Sequence, residues 1–267
     1  MRISIRHETR YQYSASPTRV TQILRLTPRD HDGQYITSWR VEVDRPVRLS
    51  QSEDAFGNIT HTFTAEGGES LTMLAEGEVQ THDANGMVTG TSEKFAPELY
   101  LRETPLTKAD SAITSFAKEI TEEARGDRLN QLHVLLAGVH RGMIFDARPT
   151  DTTTTAAEAF AMRRGVCQDL SHVFIAAARS IGIPARYVSG YFRRIDGVVD
   201  QEAGHAWVEA YVTGLGWVGF DPANGISVTD AHARVAMALD YLGAAPIRGT
   251  RYGGGEEVLN VFLKVQA

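Results

Sequence analysis

Cys167 is the only cysteine of the 267-residue chain, and it stands in the run Gly165-Val166-Cys167-Gln168-Asp169. Leu170, Val173, Phe174, Ala177 and Ile181 follow it at the spacing of one apolar helix stripe, and Gly182 and Pro184 end the pattern. The cysteine therefore falls at the first turn of a helix, where free N–H groups and the positive end of the helix dipole favour thiolate over thiol. His205 comes 38 residues later, in Gly204-His205-Ala206-Trp207, and Asp221 comes 16 after that, ahead of Pro222. A thiolate enzyme needs an imidazole to carry a proton and a third group to fix that imidazole's tautomer. Taken singly, the three have ordinary readings: a small buried hydrophobe, a bonded strand histidine and a turn-starting aspartate. In the order Cys, His, Asp on helix, strand and strand they form a candidate catalytic set.

Other residues compete less well for a chemical role. His172 lies five positions past Cys167, about 140° round the helix, so a structural or rim role fits it better than that of a base. Glu209 shares a strand face with His205, and a buried ion pair with an arginine such as Arg186 is its expected use. Trp207 and Trp217 read as core aromatics, either of which could shield a His–Asp bond from water. Gly253-Gly254-Gly255 has no phosphate-loop lysine and reads as a turn.

The elements that must hold these groups follow from periodicity. Arg2–Tyr13, Val20–Leu26, Trp39–Val43, Ile59–Thr64 and Leu71–Val79 are short alternating or apolar runs, with a turn at Asp54–Asn58. They predict a β-sandwich-like or meander domain over residues 1–95 that shapes access and supplies no catalytic side chain. Asn85, Gly86, Gly90, Pro97 and Pro105 mark the boundary. Thr107–Asp110 fits a capping box opening a helix with Ile113, Phe116, Ala117, Ile120 and Ala124 on one face. A second helix carries Leu129, Leu132, Leu136 and Val139. Thr155–Glu158 is another capping box, opening a short helix for Gly165 to close. Three strands, Arg186–Arg193, His205–Val212 and Trp217–Asp221, complete the core. For His205 to reach Asp221, the last two must pair with Tyr211 opposite Trp217. A one-residue slip would turn Asp221 to the other face. A five-residue loop, Val212–Gly216, gives that register.

These blocks, with Gly182-Ile183-Pro184-Ala185-Arg186-Tyr187 and Gly216-Trp217-Val218-Gly219-Phe220-Asp221-Pro222, resemble the core of bacterial transglutaminase-like enzymes over residues 110–222. The opening β region and Asp54–Asn58 resemble the N-terminal β domain that accompanies this core. Asp240-Tyr241 and Pro246–Gly253 resemble its C-terminal extension. Ala238-Leu239 departs from the Gly-Arg expected before Asp240. The resemblance implies an α+β, papain-like or transglutaminase-like core, a helix against an antiparallel sheet, over residues 96–267. It also implies a triad of Cys167, His205 and Asp221. The implied reaction is acyl transfer through a thioester on a peptide or protein substrate. It covers water and amines as acceptors, so a cysteine protease, an amidase, a deamidase and a transglutaminase all remain open. The absence of an identifiable amine site leans the expectation to hydrolysis. A catalytically inactive binding module on the same fold and a redox-sensing thiol are the rivals.

Composition narrows the rest. Hydrophobic residues make up 42% of the chain, and the net charge is −6 with pI near 5.9. That balance argues against nucleic acid or an anionic membrane as partner. One thiol and nine scattered histidines suggest no zinc site, and no cofactor or calcium loop is expected. With no signal-like or membrane-spanning stretch, a cytoplasmic location is the expectation. Oligomeric state is left open.

Overall fold

The computed structural model describes residues 1–267. The strands Arg2–Tyr13, Gln34–Val43 and Ser70–Thr81 lie in one antiparallel sheet, and Pro17–Thr27, Ser50–Glu53 and Ile59–Ala65 in a second. Alternation explains the packing. Tyr13, Leu71, Met73 and Ala75 from the first sheet meet Val20, Leu24, Leu26, Phe63 and Ala65 from the second in a buried layer. This is the expected sandwich.

Each sheet is extended from the far end of the chain. Ile247–Gly253 pairs with Pro17–Thr27. Glu257–Gln266 pairs with Arg2–Tyr13 from Ser4↔Gln266 to Tyr13↔Glu257. The three glycines between these strands all take positive φ, which makes them the expected turn.

Five α-helices punctuate the rest: α1 (Ser111–Thr121), α2 (Arg128–Gly142), α3 (Ala156–Met162), α4 (Cys167–Ser180) and α5 (Tyr241–Ala244). α1 and α3 pack on α4, and α2, α4 and α5 contact a third antiparallel sheet. Its order runs from Gly216–Asp221 through His205–Val212 and Ala185–Phe192 to His232–Ala238, with two-residue strands at its margin. α4 is central, and nearly every residue along it is buried. No helix is long and apolar enough to cross a membrane.

Two helix ends differ from their sequence expectation. The cap of α1 is Asp110, whose carboxylate accepts from Ile113 N–H. Thr107 is drawn away because its hydroxyl is fully buried between Thr104 and the Arg179 guanidinium. Glu158 and Thr155 form the expected capping box at α3, but Arg163, in the left-handed region, ends that helix. Gly165 is needed for space instead: a Cβ there would sit 2.5 Å from Asp169 Cβ.

The hairpin register is the one required for His205 to meet Asp221. Tyr211 lies opposite Trp217 and Val208 opposite Phe220. The loop is tighter than expected, since Val212 and Gly216 also pair and leave only 213–215 unpaired. Gly214 and Gly216 supply the positive φ values that this short connection needs.

Three strands of the third sheet carry a buried charge network. Glu209 accepts from Arg186 Nε at 2.6 Å and from Arg234 Nε at 2.7 Å, and Arg186 also reaches Glu93. The Arg186 guanidinium lies 3.8 Å from the centre of the Trp217 ring. Burial opposes the charge on Glu209, but Arg234 and Arg186 overcome it and push its pKa down to about 2. Removing one member of such a pair leaves a buried charge unmatched. Glu209→Gln is therefore expected to lower urea unfolding stability at pH 7 by about 3 kcal/mol. In the wild type this stabilisation is complete above the ordinary value of 4.5 and drains as pH falls toward 2. An unchanged unfolding midpoint at pH 7 for the variant would contradict the network's role.

Candidate active site

Cys167 is the first residue of α4 and is partly exposed. The helix start is fixed by its own third residue. Asp169 folds back so that its Oδ2 accepts from Val166 N–H at 2.8 Å. That contact occupies the space a side chain at residue 165 would need, which ties the glycine to the position of the cysteine. The amide of Cys167 lies among those first-turn N–H groups that have no acceptor within the helix.

His205 begins the middle strand of the hairpin, and Asp221 ends the partner strand. His205 Nε2 donates to Asp221 Oδ2 at 2.7 Å. This engages one ring nitrogen and leaves Nδ1 for Cys167. The His205 side chain is 13% exposed and that of Asp221 is fully covered. Burial pulls the His205 pKa down, but the Asp221 carboxylate reverses this. The nearby Cys167 adds in the same direction, and the pKa is pushed up to about 10. Burial likewise opposes ionisation of Asp221, yet His205 and His232 beside it hold its carboxyl far below the usual range.

The carboxylate is bonded on both oxygens. Oδ1 accepts from the amides of Ala223 and Asn224 at 3.0 and 3.1 Å. Oδ2 accepts from His205, from Asn224 Nδ2 at 2.6 Å and from His232 Nε2 at 3.1 Å. The sequence reading passed over Asn224 and His232. Asn224 had a local signal, because an aspartate followed two and three residues on by free amides starts an Asx turn. His232 had none. It opens the strand His232–Ala238 on the far side of Ala185–Phe192, and only sheet order brings it to Asp221.

His205, Asp221 and His232 place three donor atoms within 4.8 Å of one another, a set that invites a metal reading. Proton placement argues against it. The Thr229 amide donates to His232 Nδ1 at 3.2 Å, so the ring proton belongs on Nε2, the atom a cation would need bare.

The remaining candidates take structural places. His172 is wholly buried, and its Nε2 accepts from Tyr241 N–H at 3.1 Å. Burial and the nearby Arg179 push its pKa down to about 3. Trp207 stacks near both histidines, at 6.2 Å from His205 and 5.3 Å from His232. Trp217 packs instead on Tyr100 and Tyr211, so of the two only Trp207 can keep water from the His–Asp bond.

Cys167 and His205 line two cavities. One, of about 240 Å³, has an apolar wall that includes Tyr11, Leu259 and Val261 from the sandwich and Tyr241 from α5. The other, of about 650 Å³, is bordered by Phe145, Phe192 and Ile195 and by the acidic side chains of Asp196, Asp200 and Glu202. The sandwich thus forms one wall of the space before the thiol.

Comparison with known proteins agrees with this architecture. Residues 114–222 match the transglutaminase-like superfamily, and residues 3–80 match the bacterial transglutaminase-like N-terminal region. An uncharacterised protein of Mycobacterium leprae is 28% identical over 99% of this chain and 98% of its own length. A protein-glutamine gamma-glutamyltransferase of Pseudomonas aeruginosa is 28% identical over 49% of this chain and 23% of its own. The solved structure of a candidate cysteine protease from Cytophaga hutchinsonii superposes with a TM-score of 0.81. It covers all of this chain and 90% of that one, at 20% identity, and so has the same fold.

The electrostatics give a direct test. In Asp221→Asn the attraction that raises His205 is gone and burial remains. The imidazole midpoint, followed by NMR on carbon-13 histidine, is expected to drop from about 10 to below the ordinary 6.5. The stability that the raised His205 pKa adds to the wild type is complete below 6.5 and is lost as pH rises through about 10. A midpoint that stays high in the variant would assign the shift to another group.

Proposed function

From a chain that joins a transglutaminase-like core to the bacterial transglutaminase-like N-terminal region, we propose a cysteine enzyme that transfers acyl groups from amides through a thioester. The observation that carries this reading is the 2.7 Å bond from His205 Nε2 to the buried Asp221 carboxylate, with Cys167 and His205 lining the same two cavities. In the first half-reaction the thiol proton has already passed to His205, giving the imidazolium that its raised pKa favours, and Cys167 Sγ bonds to the amide carbon. The developing oxyanion lies near the first-turn amides of α4, where the Cys167 N–H can donate to it. As the C–N bond breaks, the imidazolium returns the proton to the departing amine. Asp221 stays ionised throughout and holds the imidazole in the useful tautomer.

In the second half-reaction an acceptor attacks the thioester and the thiol is regenerated. Water as acceptor gives hydrolysis, the reading favoured here: a protease, or an amidase on side-chain amides. An amine as acceptor is the second reading. Glu202 beside the larger cavity favours it, because its carboxylate would attract a cationic amine, whereas Asp196 and Asp200 are paired with Arg194 and Lys264. Ile195, 85% exposed, and Phe145, 60% exposed, stand at the rim of that cavity. Apolar groups held out to solvent at a cleft mouth suit a peptide or protein substrate.

The test is an acyl-enzyme trap on a glutamine- and peptide-amide library, read by intact mass, with ammonia release and incorporation of a fluorescent primary amine measured in parallel. Cys167→Ala is expected to remove the covalent adduct with folding unchanged. His205→Ala should slow its formation by about 10⁴-fold or more, and Asp221→Asn by somewhat less. Retention of most of the rate in His205→Ala would remove the histidine from the mechanism. A dominant amine product over free acid would decide for transfer.

A further inference from the structure

The role of Asp221 in this reading leaves one buried group unused. The His232 side chain is fully covered. Its Nε2 is 3.1 Å from the same Oδ2 that receives His205. Its Nδ1 accepts from the Thr229 amide at 3.2 Å. The ring is held by Phe192, with centroids 4.6 Å apart, and by the edge of Trp207 at 5.3 Å.

We propose that His232 is a positioning residue for the reaction, a neutral imidazole that donates one proton to Asp221 and thereby aims the carboxylate at His205. The claim rests on the acyl-transfer reading above for the part Asp221 plays, and goes beyond it by naming a fourth group. Three observations carry it. The Thr229 amide can only donate, so Nδ1 must be the bare nitrogen and Nε2 must bear the proton. Burial pushes the His232 pKa down in spite of the carboxylate beside it, so the ring stays neutral where an ordinary histidine begins to charge. The two imidazole centroids are 6.1 Å apart. A positive charge on His232 at that distance would compete with the imidazolium that His205 must become.

The arrangement thus gives Asp221 a hydrogen bond without a second cation. The backbone amides of residues 223 and 224 fix Oδ1, and His232 gives Oδ2 a donor besides His205. The carboxylate cannot rotate about its own bond without breaking one of these sets. A purely packing role would be served equally by a leucine of similar bulk, which is what makes the claim testable.

The first measurement is made on the wild-type protein. Nitrogen-15 histidine NMR at pH 7 is expected to show the His232 ring neutral, with its proton on Nε2. A ring seen as imidazolium, or with the proton on Nδ1, overturns the proposal. The second uses iodoacetamide as the probe of Cys167. His232→Leu is expected to lower the alkylation rate constant at pH 7 by about tenfold, the scale of a lost bond to a charged group. His232→Gln, which keeps an N–H donor, should recover to within about threefold of wild type. Alkylation of His232→Leu at the wild-type rate, or equal loss in both variants, also overturns it. If the leucine variant does not fold, the tautomer decides. No labelling of the wild-type thiol would break the acyl-transfer reading itself, a result distinct from either His232 outcome.

Discussion

A carboxylate with no exposure to water keeps its charge only if hydrogen bonds and cations replace the water it lost. Asp221 is in that position, and the surrounding structure can be understood as what supplies those replacements. Two come from the turn that the Asp221-Pro222-Ala223-Asn224 segment makes, and one from the Asn224 side chain. Two more come from histidines on different strands. The sheet register is thereby constrained twice. The hairpin must place Asp221 on the face of His205, and the strand His232–Ala238 must begin opposite Phe192.

The charge also sets the chemistry available at Cys167. An imidazole this buried would ordinarily be neutral, yet beside Asp221 it holds a proton well above the physiological range. The scaffold meets a similar problem a few residues away, where Glu209 is buried between Arg186 and Arg234. There the solution is full pairing with guanidinium groups, which leaves nothing free to react. At Asp221 the partners are imidazoles, and the one facing the cleft can still give up its proton. The same sheet therefore carries one buried acid used as a fastening and one used to tune a neighbour.

Much of this was legible in the sequence because the informative contacts are local or periodic. The stripe from Leu170 to Ile181 located α4 and put Cys167 at its start. Alternation along the hairpin fixed which face His205 and Asp221 had to share, and the observed pairing of Tyr211 with Trp217 follows it. Other features depended on neighbours that no spacing rule reveals. Thr107 has the pattern of a helix cap, but burial against Arg179 draws its hydroxyl elsewhere. Gly165 looks like a helix stop, whereas what it answers to is the Asp169 side chain pressed against it. His232 reaches the site across two intervening strands, so its part became visible only with the sheet order.

The strand Glu257–Gln266 has a bearing on how the protein comes into being. Its partner, Arg2–Tyr13, leaves the ribosome some 250 residues earlier and must wait with one edge unpaired. Pairings at such separation form late, because a long loop must close before they gain anything. Leu259, paired with Tyr11, and Val261, paired with Thr9, stand beside these partners in the wall of the smaller cavity. A nascent or cleaved chain lacking them would hold its thiol in a half-walled groove, open to any passing chain. The wall of the smaller cavity is thus completed by residues that are synthesised after Cys167, His205 and Asp221.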